Sequence, residues 1–78
     1  MNELDTVVLN KSIKEHGLKK GDMGAIVQVY QDGKAFEVEF VTAGGKTIAL
    51  LTLKPTDIRK VSKNEIPHAR EISPVFSV

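Results

Sequence analysis

Residues 25–53 decide the fold, and they read AIVQVYQDGKAFEVEFVTAGGKTIALLTL. Two glycine turns, QDGK at 31–34 and AGGK at 43–46, divide this stretch into three β-rich segments. An Asp-Gly pair is typical of a two-residue type I′ hairpin loop, which requires a positive φ at both central positions. The stretch therefore predicts a meander of three antiparallel strands, with the two turns as its connections.

Both turns predict the same core face. With Asp32 and Gly33 at the first tip and Gly44 and Gly45 at the second, the cross-strand partners are fixed along all three strands. The predicted pairs are Val29–Phe36, Val27–Val38 and Ala25–Phe40 across the first turn, then Phe40–Ala49, Val38–Leu51 and Phe36–Leu53 across the second. Side chains alternate between the two faces of a strand, so these apolar residues share one face. Two independent turns thus agree on one core.

The opposite face of the predicted sheet carries an apolar cluster around one carboxylate. In the predicted register Glu39 lies between Ile26 and Leu50, with Val41 and Ile48 paired beside it. A contiguous exposed apolar patch marks an interaction surface, whereas scattered apolar residues need no explanation. Three explanations are open: the C-terminal tail covers the patch, a partner or second copy binds it, or the register is wrong by one residue. The predicted protein-binding surface consists of Ile26, Tyr30, Glu39, Val41, Ile48 and Leu50.

Two further short strands flank the meander and bring the predicted total to five. Residues 6–9, TVVL, predict the first strand, and residues 59–61 predict a brief closing strand. The polar loop at 10–20 follows the first strand, and we expect Ile13 and Leu18 to anchor it on the core. The sequence is therefore that of an all-β protein built as a small barrel.

The C-terminal part of the chain predicts a turn and then a tail. Pro55 suits the start of a short helical turn before the last strand. From residue 62 the composition changes, since Pro67 and Pro74 interrupt any regular element while apolar residues persist. We therefore expect a domain at 1–61 and a partly apolar tail at 62–78.

Length, charge and cysteine content exclude several classes of protein. A chain of 78 residues forms one small domain, and the absence of cysteine excludes disulfides and thiolate metal sites. With 11 basic and 10 acidic residues, the net charge of +1 argues against phosphate-dominated binding over the whole surface. The amino terminus lacks the layout of a signal peptide, and no apolar run is long enough to span a bilayer. We expect a soluble, cytoplasmic protein.

The candidate catalytic and metal-binding groups are sparse. Glu37 and Glu39 lie two apart on one strand, roughly 7 Å from each other by strand rise, but alternation with buried residues explains them without catalysis. His16 and His68 are the only histidines, and no set of three or four ligands surrounds either in sequence. We expect no catalytic, cofactor or metal site, and hence no enzyme.

A cluster of lysines in the first long loop supports a different function. Four residues, Lys11, Lys14, Lys19 and Lys20, concentrate positive charge there. Such a cluster predicts contact with nucleic acid or with an acidic protein surface, although a solvated loop explains it equally simply. Single-strand binders also stack bases on exposed aromatic rings, and only Tyr30 is available for that role.

Five short motifs lie along the domain: LDTVVL at 4–9, HGLKKGDMG at 16–24, EVEF at 37–40, ALLTL at 49–53 and DIR at 57–59. Together they resemble a family of short bacterial proteins catalogued only as a domain of unknown function. The resemblance implies a five-stranded SH3-like or KOW-like barrel in which a Gly-Asp-x-Gly turn opens the second strand. It implies no established activity.

The expected function is therefore a non-catalytic protein-binding module, with regulation or neutralisation of a neighbouring protein as one form of it. The contact is with a protein partner or with a second copy of the chain, through the surface on the outer face of the sheet. The alternative is a KOW-like module that binds nucleic acid or associates with the ribosome through the loop lysines. No membrane and no small-molecule substrate is expected.

Overall fold

The computed structural model describes residues 1–73, which form one five-stranded antiparallel sheet. The strands are β1 (Thr6–Leu9), β2 (Met23–Tyr30), β3 (Ala35–Val41), β4 (Thr47–Leu53) and β5 (Ile58–Lys60). Their order in the sheet is β4-β3-β2-β1-β5, so β4 and β5 are its two edges. The prediction of an all-β fold with five strands is confirmed. Two 3-10 turns, at Lys14–His16 and Gln31–Gly33, are the only helical elements in the described part.

The first hairpin turns at the predicted residues, but its loop is longer than the predicted two-residue type I′ loop. Asp32 has φ 56° and Gly33 has φ 91°, so both central residues are in the left-handed region. The strands leave this turn paired as Tyr30–Ala35 and Val29–Phe36, which is the predicted register at this end. Gln31 also has a positive φ, 49°, and Lys34 is in the right-handed helical region, so the loop contains four residues and strand pairing begins at Tyr30–Ala35.

A β-bulge in β2 changes the register beyond this point. Ile26 pairs with Val38 and Ala25 pairs with Glu39, while Val27 is the extra residue of the bulge. The predicted pairs Val27–Val38 and Ala25–Phe40 are therefore wrong. One inserted residue reverses the alternation of every side chain before it. As a result Ile26 is fully buried in the core, and Val27 is 39% exposed.

The second hairpin contains a similar irregularity next to its turn. The predicted pairs Phe36–Leu53, Val38–Leu51 and Phe40–Ala49 are confirmed, but Val41 pairs with Thr47 and not with Ile48. Two hydrogen bonds between Thr42 and Lys46 close the loop. The N–H of Thr42 donates to the carbonyl of Lys46 at 2.9 Å, and the hydroxyl of Thr42 accepts from the N–H of Lys46 at 3.1 Å. Ile48 is consequently turned toward the core and packs against it.

A single hydrogen-bonded turn precedes β5, at the place where the sequence predicts one turn, and it does not continue into a helix. The N–H of Asp57 donates to the carbonyl of Lys54 at 2.9 Å, and the N–H of Lys54 donates to the Asp57 carboxylate at 2.9 Å. The two bonds close four residues on themselves, and Asp57 leads directly into β5, so no further helical turn is added. The same reciprocal pair of bonds closes the turns Asn2–Asp5, Lys19–Asp22 and Ser62–Glu65.

The core lies on one face of the sheet and is closed from the side by the long loop after β1. Ile13 and Leu18 are both buried, as predicted, and a bridge between them folds the loop back on itself. The buried cluster consists of Val7, Leu9, Ile13, Leu18, Ile26, Phe36, Val38, Phe40, Ala49, Leu53 and Ile58. Within residues 1–73 there is no helix of the length and apolarity that crossing a membrane requires.

Candidate functional site

The outer face of the sheet, opposite the core, retains part of the predicted protein-binding surface. Leu50 is 54% exposed and Val41 is 51% exposed, and Val27 at the bulge adds a third apolar side chain. Ile26 and Ile48 do not belong to this face, because the bulge in β2 and the register shift beside the second turn direct them to the core. Their assignment to the exposed surface is therefore wrong. We call the free edge and the outward side chains of β4, together with Val41, the β4 surface.

Hydroxyl groups hold the two carboxylates of this face. Tyr30 donates to one oxygen of Glu37 at 3.1 Å, and Thr52 donates to the other at 2.9 Å, so Glu37 links three strands. The hydrogen bond to Glu37, together with partial desolvation, raises the pKa of Tyr30. Glu39 accepts from the hydroxyl of Thr47 at 3.0 Å. The sequence signal for these contacts is the pair of threonines at outward positions of β4.

Strand β4 is a long, free edge of the sheet. Among the described residues it pairs only with β3, so one side of its backbone faces away from the sheet. Its seven residues, TIALLTL, include no charge and no proline, and Lys46 and Lys54 flank it. Edge strands with these properties are templates for pairing with another strand, and most proteins interrupt them with charges or proline. This edge keeps its pairing capacity.

The four loop lysines lie together on one folded loop. All four, Lys11, Lys14, Lys19 and Lys20, are exposed. The N–H of Lys20 donates to the hydroxyl of Ser12 at 3.1 Å, which brings the two arms of the loop together. The ammonium of Lys11 lies 3.2 Å from the carboxylate of Asp57, so part of its charge is compensated. Partial burial works to raise the pKa of Asp57, but hydrogen bonds from the Lys54 N–H and from Lys11 outweigh it and lower the pKa.

The first part of the tail is held by an arginine–glutamate pair. Arg59 donates to both oxygens of Glu65 at 2.6 and 2.7 Å, and the N–H of Ser62 donates to the same carboxylate at 2.7 Å. The hydrogen bond from Arg59, followed by that from Ser62, lowers the pKa of Glu65 to about 2. This fork fixes the direction in which the chain leaves β5.

The second part of the tail lies against the side of the core. Arg70 donates from Nε to one oxygen of Asp22 at 2.7 Å and from Nη2 to the other, and Nη2 also donates to the carbonyl of Gly17 at 3.0 Å. Ile72 packs against the buried cluster. Burial works to raise the pKa of Asp22, but the hydrogen bonds from Arg70 and the Lys19 N–H outweigh it, so the pKa is lowered.

The described tail therefore leaves Leu50, at the centre of the β4 surface, uncovered. Leu50 and Val41 stay more than half exposed, so residues 62–73 do not cover them. The remaining tail residues, 74–78, lie outside the described part of the structure. An open pocket of about 590 Å³ lies between part of the tail and the sheet. Met23, Thr42 and Ile48 line it on the side of the sheet, and His68 lines it on the side of the tail. In residues 1–73 no group of three histidine, aspartate or glutamate side chains is placed to hold a metal ion.

Acid is expected to release the tail before it unfolds the domain. The pKa values of Glu65 and Asp22 are lowered from 4.5 and 3.8 in the folded chain, so their anchoring is complete above those ordinary values. It is lost as pH falls through the folded values, which for Glu65 is about 2. The Ile72 methyl signals in NMR spectra should therefore shift between about pH 4 and pH 2, ahead of those of Ile26.

A matched variant separates the titration of the Glu65 carboxylate from that of the Asp22 carboxylate. Glu65→Gln removes the first carboxylate, so its titration should show only the step that belongs to Asp22. Simultaneous movement of the Ile72 and Ile26 signals would mean that the tail is an integral part of the cooperative domain, contrary to this prediction.

Comparison with known proteins gives one match. Residues 3–60 match the model of a family described as a domain of unknown function, DUF4926. The matched region begins before β1 and ends with β5, so it includes all five strands and both 3-10 turns. Neither the comparison with curated proteins nor the comparison with solved structures found a match.

Proposed function

We propose, from the premise that this chain belongs to the DUF4926 family, that it is a non-catalytic protein-binding module with an SH3-like barrel type of fold. The contact is made through the β4 surface, with a protein partner or with a second copy of the chain. Regulation or neutralisation of a neighbouring protein is one form that this binding takes. The observation that carries the proposal is an uncharged, seven-residue edge strand with an exposed leucine at its centre.

Two properties of the β4 surface favour a partner with an extended segment. The free backbone edge offers hydrogen bonds to an added strand, and this mode of recognition takes its specificity from alternate side chains. Leu50 and Val41 supply apolar area on the outer face, beside the half-buried Glu39. Burial of such area contributes about 25 cal/mol per Å², before the ordering costs of association. Lys46 and Lys54 at the two ends favour a partner segment with acidic residues at its ends.

The variant Leu50→Asp is expected to abolish binding without unfolding the domain. Leu50 is more than half exposed, so the change costs little stability, whereas a charge at the centre of a buried interface costs several kcal/mol in affinity. The measurement is quantitative capture of proteins from a lysate treated with nuclease, together with sedimentation of the purified chain to detect self-association.

The matched control is Ile66→Asp, which makes a similar apolar-to-acidic change at a side chain that is 92% exposed in the tail. It should bind like the unaltered chain. Equal capture by the Leu50 and Ile66 variants would remove the β4 surface from the proposal. Unfolding of the Leu50 variant, detected by circular dichroism, would show that Leu50 contributes to the core.

The loop lysines favour nucleic-acid binding as a second function. The specific observation is that the loop is folded and holds all four lysines exposed on one element, with the charge of Lys11 partly compensated by Asp57. In this function the module is KOW-like and contacts phosphates, and an aromatic platform contributes little because Tyr30 is half-buried and bonded to Glu37.

The combined variant of Lys14, Lys19 and Lys20 to glutamine tests this second function. If phosphate contacts dominate, RNA or DNA binding should fall by at least about tenfold between 50 and 200 mM salt and should be lost in the variant. The control is Lys54→Gln, an exposed lysine outside the loop. Binding that is insensitive to salt would contradict the nucleic-acid function.

A further inference from the structure

The side of the domain that receives the tail has the form of a binding groove with an occupant. We define the tail groove by Gly17, Leu18, Asp22, Phe40 and Ile48. Arg70 of the tail binds its polar end, through both oxygens of Asp22 and through the Gly17 carbonyl. Ile72, two residues later, packs against its apolar end. A fork of charge-assisted hydrogen bonds beside an apolar contact is a specific recognition pattern.

The tail is attached to this groove by side chains alone. The last backbone bond to the sheet is from the Val61 N–H to Thr6, at 3.5 Å, and in residues 66–73 no backbone group bonds to the domain. Seven of the eight residues there are exposed, and Ile72 is the exception. The Arg70 side chain nevertheless keeps only 29% of its exposure and that of Asp22 only 16%. An attachment of this kind can be reproduced by another segment that carries the same two side chains.

Two further observations separate the groove from its occupant. The match to the family ends at residue 60, so the groove lies inside the matched domain and the tail lies outside it. A pocket of about 590 Å³ between them is open to solvent, so the tail fills only part of the space beside the groove. The groove is larger than the part of the tail that fills it.

We propose that the tail groove is a docking site for an extended protein segment with an arginine followed two positions later by an aliphatic residue. Residues 70–72 of this chain occupy the site as a built-in competitor, and a partner segment must displace them. This site adjoins the β4 surface, because Val41 also lines the pocket beside the tail, and it gives the domain a second, regulated contact. Its chemistry is defined by the Asp22 carboxylate, the Gly17 carbonyl and the apolar wall beside them.

The experiment uses the full chain and a labelled peptide of residues 66–73, IPHAREIS, with fluorescence anisotropy as the readout. The variant Arg70→Ala/Ile72→Ala, which empties the groove, should bind the peptide at least about tenfold more tightly than the unaltered chain, whose linked tail competes at a high effective concentration. Adding Asp22→Asn to this variant should reduce binding by at least about tenfold. Asparagine keeps an oxygen for the Lys19 N–H, which donates to Asp22 at 2.8 Å.

Three controls make the outcome decisive. A peptide with alanine at positions 70 and 72 should not bind. The single variant Glu71→Ala of the full chain should bind the labelled peptide as weakly as the unaltered chain does. Arg70→Ala alone provides a second emptied groove if the double variant loses its native circular dichroism. Absence of peptide binding to a folded variant, or binding that Asp22→Asn does not change, would overturn the proposal. Dimers of the unaltered chain that disappear when Arg70 and Ile72 are replaced would also overturn it, since the occupant would then be a second copy.

Discussion

Replacing Ile26 by alanine is expected to lower the free energy of unfolding by about 2–5 kcal/mol. Ile26 is fully buried in the core, where it pairs with Val38 across β2 and β3. The truncation removes apolar contacts on all sides and leaves a cavity that the neighbouring strands fill only in part. For a chain of this size the total stability is about 4–12 kcal/mol, so the loss is a large fraction of it. Urea denaturation followed by circular dichroism measures the change.

The neighbouring residue provides the matched control. Val27→Ala is expected to change stability by no more than about 0.5–1 kcal/mol, because Val27 is 39% exposed at the bulge. A regular hairpin without the bulge would reverse this order, since Val27 would then face Val38 in the core. A larger loss for Val27→Ala than for Ile26→Ala would therefore refute the observed register.

The bulge marks the limit of what the sequence could predict about the core. The glycine turns set strand positions well, and β3 and β4 lie in the segments that the two turns delimit in the sequence. In β2, however, Ile26 and Val27 are adjacent and both apolar, so strict alternation can place either of them on the core face. The bulge allows Ile26, the larger of the two side chains, to be buried. No local motif in the sequence identifies the position of the bulge. The same ambiguity applies to Ile48 beside the second turn.

The position of the tail depends on contacts that are distant in sequence. Arg70 and Asp22 are 48 residues apart, and nothing in the spacing of the charged residues identifies them as partners. Several other charges were available to Arg70, among them Glu65 and Glu71 in the tail itself. The folded loop determines the partner of Arg70, because it presents the Gly17 carbonyl beside the Asp22 carboxylate. The sequence indicates an apolar tail, but only the assembled loop determines where it docks.

Replacing Gly24 by alanine is expected to destabilise the domain by about 1–3 kcal/mol or more, because the added methyl group has no space. A Cβ at this position would lie 2.8 Å from Cγ1 of Val38, 2.9 Å from the carbonyl oxygen of Glu39 and 2.9 Å from Cε1 of Phe40. One of these atoms belongs to the backbone of β3, and the other two belong to buried side chains. Relief requires β2 to move away from β3, which weakens the pairing on both sides of the bulge. Thermal and urea unfolding of the variant measure the loss.

Gly44→Ala is the control for this experiment. The nearest atom to a Cβ at Gly44 is the hydroxyl of Thr42, at the ordinary contact distance of 3.8 Å, and the residue is exposed in the second turn. Its φ is not in the left-handed region, so the substitution introduces no backbone strain there. The change should therefore be within about 0.5 kcal/mol, or slightly stabilising through the lower entropy of the unfolded chain. If Gly24→Ala were equally mild, the close approach of β2 to β3 at Gly24 would be incorrect, and with it the packing that follows from the bulge.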